Sequence, residues 1–270
     1  MNAAELFKLD GRKALVTGAG RGIGRVLAIS LAQCGCGISI LEKNINDAHN
    51  VVEEIKKLGK KAVAFEVDVT KKAEVEKAFS ASAKQLGGLD ICINNTGVCI
   101  HEAAEDMPEE HFDYVVDTDL KGVFFCCQAA AKLMMPQKKR SIINIASISG
   151  TVANYPQKQV HYNASKAGVI LLTKCLAVEW ANYGIRVNSI SPGYTRSEKS
   201  FSPGHIRTEM TAILSTPEMI TQLAQWESMI PMKRMAEPQE IAGAAIYLAS
   251  DASSYTTGSD IIVDGGYTAL

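Results

Sequence analysis

The sequence predicts an α/β fold, a doubly wound parallel sheet of seven strands with helices on both faces. Three observations carry that prediction. Short β-rich runs alternate with longer helical patterns from residue 12 to the end of the chain. Most of the short runs are continuous Val/Ile stretches, as strands buried on both sides must be. A cluster of glycines separates the first strand from the first helix.

The first strand, 13–17 (KALVT), runs directly into Thr17-Gly18-Ala19-Gly20-Arg21-Gly22-Ile23-Gly24 and then a helix over 23–33. Strand 37–41 (GISIL) leads to a helical pattern over 46–58. Strand 62–67 (AVAFEV) precedes helix 72–86, and strand 91–94 (ICIN) precedes a long helix over 112–135. Strand 141–146 (SIINIA) is followed by helix 160–183, and strand 186–191 (RVNSIS) by the one irregular stretch, 191–237. Pro238 opens helix 238–249 at a position where its missing N–H costs nothing. Strand 261–263 (IIV) completes the sheet. No linker rich in Pro, Gly or Ser splits the chain, so residues 1–270 read as one domain.

Composition narrows the partners. The chain has 270 residues, 47% hydrophobic and 21% charged, with a formal net charge of -1 and a pI near 6.5. That balance removes the electrostatic argument for nucleic acid or an anionic membrane and leaves a small-molecule substrate. There is no signal peptide pattern after Met1 and no apolar run near the ~20 residues of a membrane span, so a cytoplasmic protein is expected. Seven cysteines, at 34, 36, 92, 99, 126, 127 and 175, lack zinc-site spacing, and no metal is expected.

The glycine turn places backbone amides and the positive end of a helix dipole where a pyrophosphate binds, the Rossmann-type dinucleotide arrangement. Gly18, Gly20, Arg21, Gly22, Ile23 and Gly24 are the candidate contacts. Glu42 ends the second strand, within reach of an adenosine ribose, and its charge would repel a 2′-phosphate. Arg21 and Lys43 argue the other way, since either could pair with that phosphate. The balance favours NAD(H) over NADP(H). Asp68 and Val69 follow the third strand and could meet adenine, although Asp68 reads equally as a turn residue or a cap before Lys71.

Tyr162 and Lys166 stand four residues apart, a spacing that stacks a phenol and an ammonium on one helix face. A free phenol titrates near ~10, and a fixed positive charge beside it favours the phenolate. Ser147 closes the fifth apolar run at the sheet edge where ligands bind in open α/β folds, with Ser149 as a rival and a cap as the bland alternative.

Together these segments resemble the short-chain dehydrogenase/reductase family in its single-domain form. The motifs are Thr17 to Gly24, Asn94-Asn95-Thr96-Gly97, Ser147, Tyr162-x-x-x-Lys166 and Pro192-Gly193, in the family's order. The resemblance implies Tyr162 as acid/base, Ser147 as holder of the substrate oxygen, and Lys166 as the group that lowers the tyrosine pKa and binds nicotinamide ribose. Gly150, three residues after the serine, favours Ser147 over Ser149. Asn94, Asn95 and Gly97 are implied to lie near the cofactor. Pro192, Gly193 and Thr195 match the segment that meets nicotinamide. The implied reaction interconverts a secondary alcohol and a ketone by hydride transfer. A homotetramer is implied through the long helices, where Phe124, Phe125, Leu171 and Leu172 would supply apolar surface.

One residue departs from the family pattern. Its fourth catalytic position, an asparagine before Leu-x-Gly, is Asp119 here. An ionised Asp119 near Lys166 would partly offset the lysine's effect on Tyr162 and move the pH optimum upward. It also keeps open a regulatory protein that binds the dinucleotide without turnover. The C-terminal run 248–268 and the segment 226–235 resemble the sugar and polyol branch, whose members include mannitol dehydrogenases and sorbose reductases. A ketoreductase acting on acyl or other non-sugar ketones is the alternative. Ser149, Asn154, His161 and Trp226 are the candidate substrate-pocket residues, beside Ser147 and Tyr162. Within 191–237 the run Ser191 to Glu198 recurs as Ser202 to Glu209. The first copy is expected to meet the cofactor, and the residues between the copies to extend a mobile lid over the substrate.

Overall fold

The computed structural model describes residues 2–196 and 217–270. Seven strands form one parallel sheet: β1 (Lys13–Thr17), β2 (Gly37–Glu42), β3 (Ala62–Glu66), β4 (Ile91–Asn94), β5 (Arg140–Ile145), β6 (Ile185–Pro192) and β7 (Asp260–Val263). Their order is β3-β2-β1-β4-β5-β6-β7, every neighbour parallel. The expected strands thus all form, with no end shifted by more than one residue.

The continuous apolar runs serve two faces at once. Val16, Ile38, Ile40, Ile91, Ile93 and Ile143 pack toward α1 (Gly22–Gln33) and α2 (Ile45–Lys57). Their alternating neighbours Leu15, Cys92, Ile142 and Val187 pack on the other face with Phe79 of α3 (Lys72–Leu86). Successive strand side chains point to opposite faces, so a strand covered twice must be apolar at every position.

The chain leaves β1 for β2 and β3 on one side, then crosses back to place β4 on the other. That reversal opens a crevice at the C-terminal ends of β1 and β4, the standard ligand position in open α/β sheets.

The long helix expected over 112–135 is interrupted. It comprises α4 (Glu109–Val116), a π-turn over Asp117–Lys121, and α5 (Gly122–Met134). A π-turn widens the backbone by one residue and redirects the side chains on it. Here it buries Thr118 and Asp119, with Asp119 at 0% exposure. The next helix, α6 (Val160–Trp180), gives way to a short 3₁₀ turn and ends at Gly184 in the left-handed region, φ 71°. Among the described residues two more α-helices follow, α7 (Pro217–Met229) and α8 (Pro238–Ala249).

Part of the irregular stretch is therefore helical. Tyr194 to Arg196, within the first copy of the repeat, is pinned to Ala236 by a Thr195–Ala236 bridge and by backbone bonds on either side. The second copy and most of the expected lid lie outside the described residues. Of the apolar groups expected at a subunit interface, Phe124 and Leu171 are exposed, whereas Phe125 and Leu172 pack against the core. No helix among the described residues is long and apolar enough to cross a membrane.

Candidate active site

The glycine turn sits at the crevice and is braced by β4. Thr17 Oγ1 accepts from the amides of Asn95 (3.0 Å) and Thr96 (3.1 Å). Asn95 Nδ2 donates to the carbonyls of Thr17 (3.1 Å) and Gly18 (2.9 Å). Asn95 is thus a brace for the turn, with both protons of its side-chain amide used there. A Cβ on Gly24 would stand 2.3 Å from the Gly18 carbonyl oxygen and 2.4 Å from Asn95 Nδ2, so close packing within the protein demands that glycine. Gly22 has φ +55° and open space beside it. Arg21, the N-cap of α1, makes no side-chain cap. With no side-chain cap and open space beside Gly22, the first-turn amides of α1 are left available, a cradle that fits a pyrophosphate.

Glu42 lies across the mouth of the turn. Its Oε2 accepts from Gly20 N (3.0 Å), and Oε1 accepts from the amides of Lys43 (2.9 Å) and Asn44 (3.4 Å). Lys43 is tied to Asp68, Nζ to Oδ2 at 3.0 Å. Asp68 also accepts from Thr70 N and Oγ1, so it is a turn residue, and its cap reading is not realised because Lys71 is the N-cap of α3. Burial pushes the Asp68 carboxyl up, but Thr70 and Lys43 together hold it below the usual range. Among the described residues the Arg21 side chain is exposed and unpaired. Val69 is buried, and a Cβ on Gly122 would stand 2.9 Å from its Cγ2, so its side chain packs against the start of α5.

Ser147 follows β5, and its Oγ accepts from Ser149 N (3.1 Å), capping a 3₁₀ turn over Ile148–Gly150. The cap and the site are one position. Tyr162 and Lys166 lie in the first turns of α6, with Nζ 5.4 Å from the Tyr162 ring centroid. Lys166 Nζ donates to the Ile145 carbonyl (3.1 Å) and pairs with Asp119 Oδ2 (3.1 Å). Asp119 Oδ1 accepts from Val98 N (2.7 Å). A Cβ on Gly97 would stand 3.0 Å from Asp119 Oδ2 and 3.2 Å from Lys166 Nζ, which places that glycine against the pair.

Asn94 ends β4 fully buried, with Nδ2 donating to Asn144 Oδ1 (2.8 Å) beneath the site. At the end of β6, Gly193 N donates to the Val263 carbonyl (2.9 Å), and Thr195 Oγ1 donates to the Gly193 carbonyl (3.0 Å). The segment Pro192 to Thr195 is thereby fixed beside β7.

The electrostatics depart from the simple expectation at Tyr162. Burial pushes its phenol up and outweighs the downward pull of Lys166; Asp119 adds to the rise, and the Ser147 hydroxyl opposes it. Burial likewise pushes the Asp119 carboxyl up, against Lys166 and the Val98 amide. For Lys166, burial works against the ammonium, but Asp119 and Tyr162 carry its pKa above the ordinary value. The lysine stays charged.

The expected pocket residues divide. Ser149 Oγ accepts from Gln159 Nε2 (3.3 Å), and Asn154 Nδ2 donates to the Tyr194 hydroxyl (3.4 Å). Trp226 stacks on Tyr194 with centroids 4.9 Å apart. His161 is not with them: it is fully buried and stacks on Phe112 of the α4 side. The sequence reading missed the Ile145 carbonyl, the Val98 amide, Tyr194, Gln157 and Gln159. The density of Asn and Gln between 154 and 163 was the available signal for the last two.

A family model described as enoyl-(acyl carrier protein) reductase matches residues 18–268. A sorbose reductase of Candida albicans is 41% identical over 99% of this chain and 90% of its own length. A probable NADP-dependent mannitol dehydrogenase of Yarrowia lipolytica is 39% identical over 98% of this chain and 91% of its own. Among solved structures, a short-chain type dehydrogenase/reductase from Mycobacterium marinum superposes with TM-score 0.90 at 40% identity, covering 100% of both chains.

Proposed function

The chain belongs to the short-chain dehydrogenase/reductase family and is an NAD(P)-dependent oxidoreductase acting on CH–OH groups; on that premise we propose that it interconverts a sugar or polyol with its ketone at Ser147, Tyr162 and Lys166. The observation that carries the assignment of residues is the cluster at the C-terminal edge of β5, beside the open first turn of α1. The names of its relatives, a sorbose reductase and a mannitol dehydrogenase, support the substrate class.

The nicotinamide, when bound, supplies or accepts the hydride. Ser147 holds the substrate oxygen, and Tyr162 gives it a proton in reduction or takes one in oxidation. Lys166, fixed by Ile145 and Asp119, stabilises the phenolate that proton transfer leaves. Water is kept from the ammonium, which is 3% exposed, so its charge acts through a poorly screening medium. Asp119 does not dismantle this arrangement. It occupies the place from which Lys166 is oriented, which argues against a protein that binds the dinucleotide without turnover.

Asp119 sets the pH at which the site works. A carboxylate disfavours a neighbouring phenolate, so removing it lowers the Tyr162 pKa. Asp119→Asn is therefore expected to move the pH-rate profile for alcohol oxidation toward acid, with the maximal rate changed less than about tenfold. Steady-state kinetics across pH checks this, and an unmoved profile removes Asp119 from the mechanism.

We further propose NAD(H) as the preferred cofactor and a homotetramer through α5 and α6. Glu42 supports the first, because its carboxylate stands where a 2′-phosphate would come and Lys43 is committed to Asp68. Glu42→Ser relieves that repulsion and leaves Arg21 to pair with the phosphate. The ratio of kcat/KM with NADPH to that with NADH is expected to rise by about tenfold or more. Exposed Phe124 and Leu171 support the second, which sedimentation measures. The substrate class is tested by following reduced nicotinamide absorbance against ketoses, polyols and acyl ketones. Preferred turnover of ketoses or polyols is expected; preference for acyl ketones would favour the alternative.

A further inference from the structure

Between Ser147 and Lys166 the chain carries four carboxamides, Asn154, Gln157, Gln159 and Asn163. Hydrogen bonds join them to the catalytic edge. Ser149, whose amide caps onto Ser147 Oγ, accepts at its own hydroxyl from Gln159 Nε2. The same Nε2 faces Asn154 Oδ1 (3.3 Å) and Asn163 Oδ1 (3.0 Å). Asn154 Nδ2 continues to the Tyr194 hydroxyl (3.4 Å), to which Gln157 Nε2 also donates (3.0 Å). That hydroxyl is also placed to donate to Gln157 Oε1 (3.2 Å).

Tyr194 is the rigid end of this network. Its ring lies nearly flat on Trp226, interplanar angle 14°, and edge-on to Tyr267 at 5.4 Å. Contacts on two sides of the ring fix where the phenol oxygen stands. The amides around it are less committed. Gln159 Nε2 has two protons for three acceptors, and the bonds at 3.3 and 3.4 Å are at the long end of the useful range. Such partners exchange readily for another hydroxyl, whereas an apolar ketone offers none in return and leaves them unpaired.

We propose that Tyr194, with Asn154 and Gln157, is a specificity-determining group that holds a hydroxyl of an open-chain polyhydroxylated substrate while its carbonyl carbon reacts at Tyr162. Trp226 is a positioning residue that acts through the Tyr194 ring. This rests on the sugar or polyol reading above.

Tyr194→Phe keeps both ring contacts and removes only the hydroxyl. With NADH, a 2-ketohexose is compared with 2-hexanone, the latter as substrate or, where it is not turned over, as competitive inhibitor. For the ketohexose, kcat/KM is expected to fall about tenfold, through KM, because one hydrogen bond to the substrate is lost. The value for 2-hexanone stays unchanged. Gln157→Met, which leaves the ring stack in place, gives the same selective loss. Equal losses on both compounds, or none on the ketohexose, overturn this inference and leave the proposed function standing. A wild-type enzyme that acts on acyl ketones and on no ketohexose or polyol overturns both.

Discussion

Tyr162→Phe binds the dinucleotide as the wild type does and loses turnover by about a thousandfold or more, the scale of a lost general acid in a preorganised site. The substitution removes one oxygen. Ser147 loses its hydrogen bond to the phenol but keeps Ser149 N, and the Lys166–Asp119 pair keeps the Ile145 carbonyl and the Val98 amide. The fold and the glycine cradle are untouched. Fluorescence titration with NADH separates binding from chemistry, and turnover within about tenfold of wild type would remove Tyr162 as the acid.

Lys166→Met carries the second large effect, on stability as well as rate. It leaves Asp119, 0% exposed, as a buried carboxylate whose one remaining close partner is the Val98 amide. Removing one member of a buried pair costs about 3–5 kcal/mol, mostly because the other charge is stranded. The cost depends on pH with a definite sign. In the variant Asp119 titrates above its unfolded value, so the native state binds the extra proton and stability falls as pH rises through that range. The deficit relative to wild type is therefore smallest in acid and full at neutral pH. Adding Asp119→Asn removes the stranded charge and recovers part of the loss. Denaturant unfolding at several pH values reads all three; a deficit independent of pH, with no rescue in the double variant, would show that the pair is not coupled.

The parts of this site that the sequence showed are those encoded locally. Tyr162 and Lys166 meet because helical spacing brings them together, and Gly18 to Gly24 turn the chain because a strand passes directly into a helix. The continuous apolar runs reported two-sided burial without any knowledge of strand order. What was hidden depends on pairings far apart in the chain. Tyr194 meets Gln157 across 37 residues, and Lys43 meets Asp68 across 25. Neither partner's identity announces the other. The π-turn was hidden for a different reason. Residues 112–135 read as one continuous helix, and although the family resemblance puts Asp119 near Lys166, nothing local announces the widened turn that buries it against Lys166 and the Val98 amide. His161 shows the opposite error: adjacency to Tyr162 places a side chain on a different face of the helix, here against Phe112.

The proposed reaction is direct hydride transfer from a secondary alcohol carbon of a polyol, with Tyr162 taking the hydroxyl proton. Mannitol deuterated at the carbon that is oxidised, incubated with enzyme and NAD, tests it by mass spectrometry of the reduced nicotinamide. One deuterium is expected in each reduced nicotinamide formed by the wild type, and no reduced product above background with Tyr162→Phe. Reduced nicotinamide carrying solvent hydrogen in place of the label, or labelled product formed equally well by the variant, would contradict it.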